Sequence, residues 1–129
     1  MGSYEEHQKL IERTKLLCTK ELPRIRLFDQ HVGLFYKKRV NNNIIDYSPI
    51  SIGKPGMADI EARYFTPYGF IVAISGEAKT GKAVQSSDQK IWQNFIENNG
   101  NNLGAYILFR SEFEFVEKVK KYLSERNLL

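Results

Sequence analysis

Phe70-Ile71-Val72-Ala73-Ile74 is a short run of aromatic and β-branched residues, and it reads as a buried strand. Directly after it the chain turns polar, as Ser75-Gly76-Glu77-Ala78-Lys79-Thr80-Gly81-Lys82. The two-residue period of extended chain puts Glu77 and Lys79 on one face and Ala78 on the other. A carboxylate and an ammonium carried side by side out of a buried strand make a chemical pair. The first can hold a divalent metal, and the second can polarise an anionic substrate or a water. The same spacing is also common in exposed ion pairs, which are worth at most about 1 kcal/mol. What sets this pair apart is its company: Asp59 upstream in Gly56-Met57-Ala58-Asp59, and Gln85 and Gln89 downstream.

The 129 residues fit one domain, 1–129, with enough chain to bury a core. A hydrophobic share of 42% excludes a disordered chain. The net charge of +4 is compatible with a polyanionic partner without requiring one. The single cysteine, Cys18, excludes an internal disulfide and a cysteine-based zinc site. It falls within an apolar helical pattern, as a buried structural thiol would. No apolar run approaches the roughly 18 residues needed to span a bilayer, and the polar, acidic start MGSYEEHQKL is unlike a signal peptide. The expectation is a soluble protein of the cytoplasm, with no membrane partner.

The remaining pattern is helix, three strands, helix, strand, helix around one mixed sheet. Tyr4 to Lys20 reads as a helix with Leu10, Ile11, Thr14, Leu17 and Cys18 on one face and Pro23 as its stop. Ser3 and Glu6 have capping-box spacing, and Glu6 also falls at the edge of the apolar face, one turn before Leu10. Val32 to Tyr36 reads as a strand with Lys37, Lys38 and Arg39 emerging from its end, followed by an Asn41-Asn42-Asn43 turn. Ile44 to Ile52 reads as irregular, broken by Pro49. Met57 to Tyr64 reads as a strand, and Thr66-Pro67-Tyr68-Gly69 as a hairpin turn into the central strand. Asp59 and Glu77 then lie on adjacent antiparallel strands, in a register that allows them to meet. Ser86 or Ser87 caps a helix to about Asn98, Gly104 to Phe109 is a strand reached by a parallel crossover, and Ser111 caps a last helix.

Two motifs compete for the central loop. Gly76 to Ala83, GEAKTGKA, comes close to the phosphate-binding pattern G-x-x-x-x-G-K-[ST], which would make this a nucleotide-binding protein. Ala83 stands where a hydroxyl should meet magnesium, and the chain that follows holds only one more strand. The second reading takes Gly53-x-Pro55-Gly56-Met57-Ala58-Asp59, Glu77-Ala78-Lys79-Thr80-Gly81 and Gln85-x-x-x-Gln89-x-x-Trp92 together. These resemble the VRR-NUC family of the PD-(D/E)XK nuclease superfamily, whose motifs run roughly G-x-P-G-x-P-D, E-x-K-T and S-x-x-Q. Ala58 departs from the usual proline, and Ser75-Gly76 precedes Glu77 where an apolar residue is common, which loosens the strand end but leaves both charged groups.

The resemblance implies a restriction-endonuclease-like α-β-β-β-α-β core with a mixed central sheet and a C-terminal helix. It implies an endonuclease dependent on Mg²⁺ or Mn²⁺ that hydrolyses DNA, with no nucleotide cofactor. Asp59, Glu77 and the Ala78 carbonyl would hold the metal, with Glu6 as a further candidate. Lys79 and Gln89 would complete the catalytic set. Lys82, Gln85, Lys37, Lys38 and Arg39 would meet DNA. Short stand-alone members of the family resemble structure-selective enzymes that cut branched DNA such as four-way junctions, as homodimers. A catalytically silent DNA-binding domain of the same fold is a third possibility.

Overall fold

The computed structural model describes residues 4–29, 33–52 and 58–129. In chain order the elements are α1 (Tyr4–Glu21), β1 (Ile25–Asp29), β2 (Gly33–Asn41), β3 (Ile44–Ile52), β4 (Ile60–Phe65), β5 (Ile71–Ala78), α2 (Ser87–Asn99), β6 (Gly104–Phe109) and α3 (Glu112–Glu125). This is an α/β protein with a mixed four-stranded sheet in the order β1-β4-β5-β6. β4 runs antiparallel to both β1 and β5, and β6 runs parallel to β5 through the α2 crossover. Ser3, and the Gly53 to Met57 part of the upstream motif, lie outside the described residues.

Each apolar stripe read from the sequence has a partner. Leu10, Ile11, Thr14 and Cys18 of α1 are buried, as are Phe115, Val116, Val119 and Leu123 of α3. They share one core with Val72, Ile74 and Ala78 of β5 and Ala105, Ile107 and Phe109 of β6. Thr14 tolerates full burial because its hydroxyl donates to the Leu10 carbonyl at 2.7 Å. Burial pushes the Cys18 thiol up to about 12, so it is an inert packing group.

Four expectations change. The first strand of the sheet is β1, preceding the Val32–Tyr36 stretch read from the sequence. The basic trio does not emerge from a strand end: Lys37, Lys38 and Arg39 lie inside β2, opposite Ser48, Tyr47 and Asp46. Ile44 to Ile52 is a strand, β3, paired in register with β2 and carrying Pro49 opposite Tyr36. Both strands of this two-stranded ribbon have an unpaired edge, where a missing N–H costs no ladder bond. Asn42 and Asn43 turn it, both with positive φ, as a two-residue hairpin requires. The ribbon is therefore an insertion between β1 and β4, and the four-stranded sheet keeps the order helix, three strands, helix, strand, helix.

The fourth change is the length of the central strand. β5 runs through Glu77 to Ala78, well past the apolar run. Gly76 does not loosen the strand. It pairs with Ile60 and Ile107, and a Cβ there would meet Phe115 at 2.8 Å and Phe109 at 3.2 Å. Those two rings pack edge to face and fill the space where an apolar side chain would otherwise sit. Glu77 is thereby carried into the sheet interior on the opposite face.

Candidate functional site

The turn at Thr66–Gly69 brings the two acids together. Thr66 Oγ1 accepts the backbone N–H groups of Tyr68 and Phe70, and Gly69 takes φ +90°. The register that follows places Ile60 opposite Gly76, so Asp59 arrives beside Glu77 and Ala78. Asp59 Oδ2 accepts the Ala78 N–H at 2.9 Å, which anchors the carboxylate to the end of β5.

Glu77 and Lys79 share a face, as the strand period requires, with Lys79 Nζ 3.7 Å from Glu77 Oε1. They are not a surface pair: Glu77 is 3% exposed and Lys79 9%. Gln89 ties them together. Its Nε2 donates to Glu77 Oε1 at 2.6 Å, and its Oε1 accepts from Lys79 Nζ at 2.8 Å. The same Oε1 accepts the Ser86 N–H at 2.8 Å, while the Ser86 hydroxyl accepts the Gln89 N–H, a complete capping box. One side chain thus starts α2 and orients the acid and the lysine. Glu77 Oε2 is buried and, among the described residues, accepts no hydrogen bond; when the carboxyl is protonated it can donate to Asp59.

A buried, unpaired carboxylate oxygen beside another carboxylate is costly in its charged form. Burial, reinforced by the negative charge of Asp59 and opposed by Lys79, pushes the Glu77 carboxyl up to about 8. Its ordinary value is 4.5, so between these limits the folded protein holds a proton that the unfolded chain has released. Stability without metal therefore falls as pH rises across this window. The hydrogen bond to Asp59 raises His7 as well, against the cost of burial, which adds a loss of the same sign. Urea unfolding in EDTA should be less stable at pH 8 than at pH 5, and Glu77→Gln should flatten that slope. An unchanged slope in the variant would mean Glu77 is ionised throughout.

His7 was not anticipated. Its Nε2 lies 3.1 Å from Asp59 Oδ2 and 3.1 Å from the Ala78 carbonyl oxygen. The signal was present in the sequence: 7, 10, 11, 14 and 18 follow one helical stripe, so His7 continues the buried face of α1 toward the sheet end. Glu6 is exposed, and His7 is an α1 side chain in contact with Asp59. Gln85 donates to Gln93 Oε1 at 2.8 Å, on the neighbouring part of α2. Lys82 is exposed in the loop between β5 and α2. Arg110 braces that loop through the carbonyls of Gly81 and Ala83, at 3.2 and 2.7 Å.

The loop is not shaped as a phosphate cradle. Gly76 to Ala78 belong to β5, Lys79 is turned onto Gln89, and α2 begins only at Ser87. The backbone N–H groups of a helix start do not surround Gly81-Lys82, as phosphate binding of that kind needs.

Asp59, Glu77 and the Ala78 carbonyl are hard oxygen donors of the kind that suits Mg²⁺ or Mn²⁺. The orphaned Glu77 Oε2 is an acceptor that a cation would satisfy. Among the described residues, no group of three or more His, Cys, Asp or Glu side chains is placed to hold a metal ion. If a divalent ion binds here, two carboxylates, Asp59 and Glu77, and the Ala78 carbonyl are the oxygen donors that would hold it. No model of a known protein family, no curated protein and no solved structure matches this chain. No helix among the described residues is long and apolar enough to cross a membrane.

Proposed function

We propose that this chain is a metal-dependent endonuclease that hydrolyses DNA phosphodiester bonds, with a restriction-endonuclease-like core. One observation carries the reading: two carboxylates at the end of the central strand pair, one of them buried with a free oxygen, beside a buried lysine held by a glutamine. The sequence resemblance to VRR-NUC nucleases points to the same residues, and the order of elements around the four-stranded sheet is compatible with it.

In this reading Asp59, Glu77 and the Ala78 carbonyl hold Mg²⁺ or Mn²⁺. When bound, the cation lowers the pKa of a water and neutralises charge on the scissile phosphate. Lys79 presents its ammonium to the attacking water and to the charge that grows on the phosphate oxygens. Gln89 keeps Lys79 and Glu77 in fixed rotamers, which limits reorganisation during the reaction. Lys82, Gln85 and the β2 residues Lys37, Lys38 and Arg39 are the proposed contacts to the DNA backbone, a sequence-blind and salt-sensitive interaction. Branched DNA as substrate and a homodimer as the acting form rest on the family resemblance.

The test is incubation with single-stranded, duplex, flap and four-way DNAs in Mg²⁺, Mn²⁺ or EDTA. Cutting of the branched substrates in either metal, and none in EDTA, is expected. Binding of DNA without cutting under any condition would favour a silent DNA-binding domain. Micromolar ATP binding, lost in Lys82→Ala, would favour the phosphate-loop reading.

A further inference from the structure

We propose that the face of the sheet turned away from α1 and α3 binds a single-stranded segment of DNA, as a stacking platform that begins one row from the two acids. The identity of the partner rests on the DNA-cutting reading above. The surface is separate from the metal corner and from the DNA contacts assigned there.

Strand period and register lay this face out. Ile60, Ala62 and Tyr64 of β4 and Val72 and Ile74 of β5 point into the core, so the residues between them point the other way. The row next to Asp59 and Glu77 carries Phe28 opposite Glu61, which in turn pairs with Ser75. The following row sets Arg26 opposite Arg63, and the one after it sets Phe65 opposite Ile71. α2 packs on β6, and the β1-β4-β5 part of the face is open: Phe28 is 47% exposed, Phe65 41% and Ile71 52%. Arg26 and Arg63 are exposed as well. Large apolar side chains left open in adjacent rows mark an interaction surface.

Chemistry selects the occupant. The Arg63 guanidinium lies 5.6 Å from the centre of the Phe28 ring, a flat cation over an aromatic plane. Glu61 is turned toward β5, where its carboxylate accepts the Ser75 hydroxyl at 2.8 Å, and the guanidinium stays on the ring. Exposed rings among basic groups suit a single strand, because every base has a face that stacks and the cations meet its phosphates. Phe28 is level with Glu61, so Phe65 stands four residues further along β4, roughly 13 Å away. About four stacked nucleotides span that distance at a rise of roughly 3.4 Å. α2 closes the β6 side with Trp92, which approaches Glu61 and stacks on Phe95. Two copies meeting through this patch would set Arg26 and Arg63 against the same residues of the other copy. A polyanion is the complementary occupant, and the chain carries a net charge of +4.

The experiment is titration of the protein in EDTA with labelled oligo(dT) and with a duplex of equal length. Binding is read by anisotropy and by the fluorescence of Trp92, the single tryptophan. Wild type should bind the single strand more tightly than the duplex and lose Trp92 fluorescence as it does so. Removing one base–aromatic contact costs roughly tenfold in affinity. Phe28→Ala and Phe65→Ala should each weaken oligo(dT) by about that factor and leave duplex binding nearly unchanged. Arg63→Gln should lower the slope of log affinity against log salt by roughly 0.7, the value of one phosphate on a single strand. Phe113→Ala, which removes a ring of α3 that is 63% exposed, should change nothing. Wild-type oligo(dT) affinity in both Phe28→Ala and Phe65→Ala, or equal affinity for single strand and duplex, overturns the inference. The nuclease reading then stands if branched DNA is still cut in Mg²⁺ or Mn²⁺. Oligo(dT) binding that the two variants lose, in a protein that cuts no DNA in either metal, supports the platform and removes the nuclease reading. If the variants instead convert a dimer to a monomer in sedimentation equilibrium, with oligo(dT) affinity unchanged, the face joins two copies and the inference fails.

Discussion

Asp59→Asn and Glu77→Gln should each abolish metal-dependent cleavage of DNA while leaving the protein folded. The two carboxylates occupy different supports. Asp59 is held by the Ala78 N–H at the end of β5, and Glu77 is held within the sheet by Gln89. Neither can replace the other, because the strand register fixes where each one ends. An amide keeps the shape of the side chain but loses the anionic oxygen that a hard cation needs. Loss of cation-borne charge stabilisation costs on the order of a hundredfold or more in rate. The fold should survive in Glu77→Gln, since the carboxyl is pushed up to about 8 and is already largely protonated at neutral pH without metal. Glutamine is close to that neutral form in size and hydrogen bonding. Thermal melts in EDTA, read beside the cleavage assay, separate loss of chemistry from loss of structure. Full activity in either purified variant would sink the assignment of the site.

Lys79→Ala should bind branched DNA in Ca²⁺ about as well as wild type, yet cut it very slowly in Mg²⁺ or Mn²⁺. Its ammonium is buried between Glu77 and Gln89 at the end of the strand that carries both acids. A contact made mainly with charge that develops in the transition state lowers turnover more than binding. Removing one such group costs on the order of a hundredfold or more. A purely structural lysine predicts a different pattern. Its loss would leave Gln89 still bonded to the Ser86 N–H, cost stability, and leave the single-turnover rate near normal. Single-turnover kinetics with matched binding curves distinguish the two, and near-normal cutting would end the mechanism proposed here.

Local order was legible because it is carried by short-range rules. The 3.6-residue stripes of α1 and α3, the serine caps at Ser86 and Ser111, and the Thr66–Gly69 turn each depend on neighbours a few residues away. The pairing of Asp59 with the end of the central strand followed from that turn plus the antiparallel register. The placing of Glu77 beside Lys79 needed only the two-residue period of a strand.

What the sequence alone could not settle depended on distant partners. Pro49 and the polar Lys37-Lys38-Arg39 run argue locally against strand, yet each lies in a ribbon because its opposite strand supplies the bonds. Gly76 reads as a weak point until Phe109 and Phe115, more than thirty residues on, fill the space above it. Glu77 and Lys79 could have been solvated. They are buried because β5 continues between β4 and β6 and because α2 returns Gln89 over them. His7 lies on the buried stripe of α1, but only packing of that helix against the sheet decides that the stripe ends at Asp59 and Ala78. Spacing along the chain determined which chemical groups share a face. Which of those faces is closed off from water, and what it meets there, was decided by contacts between elements far apart in sequence.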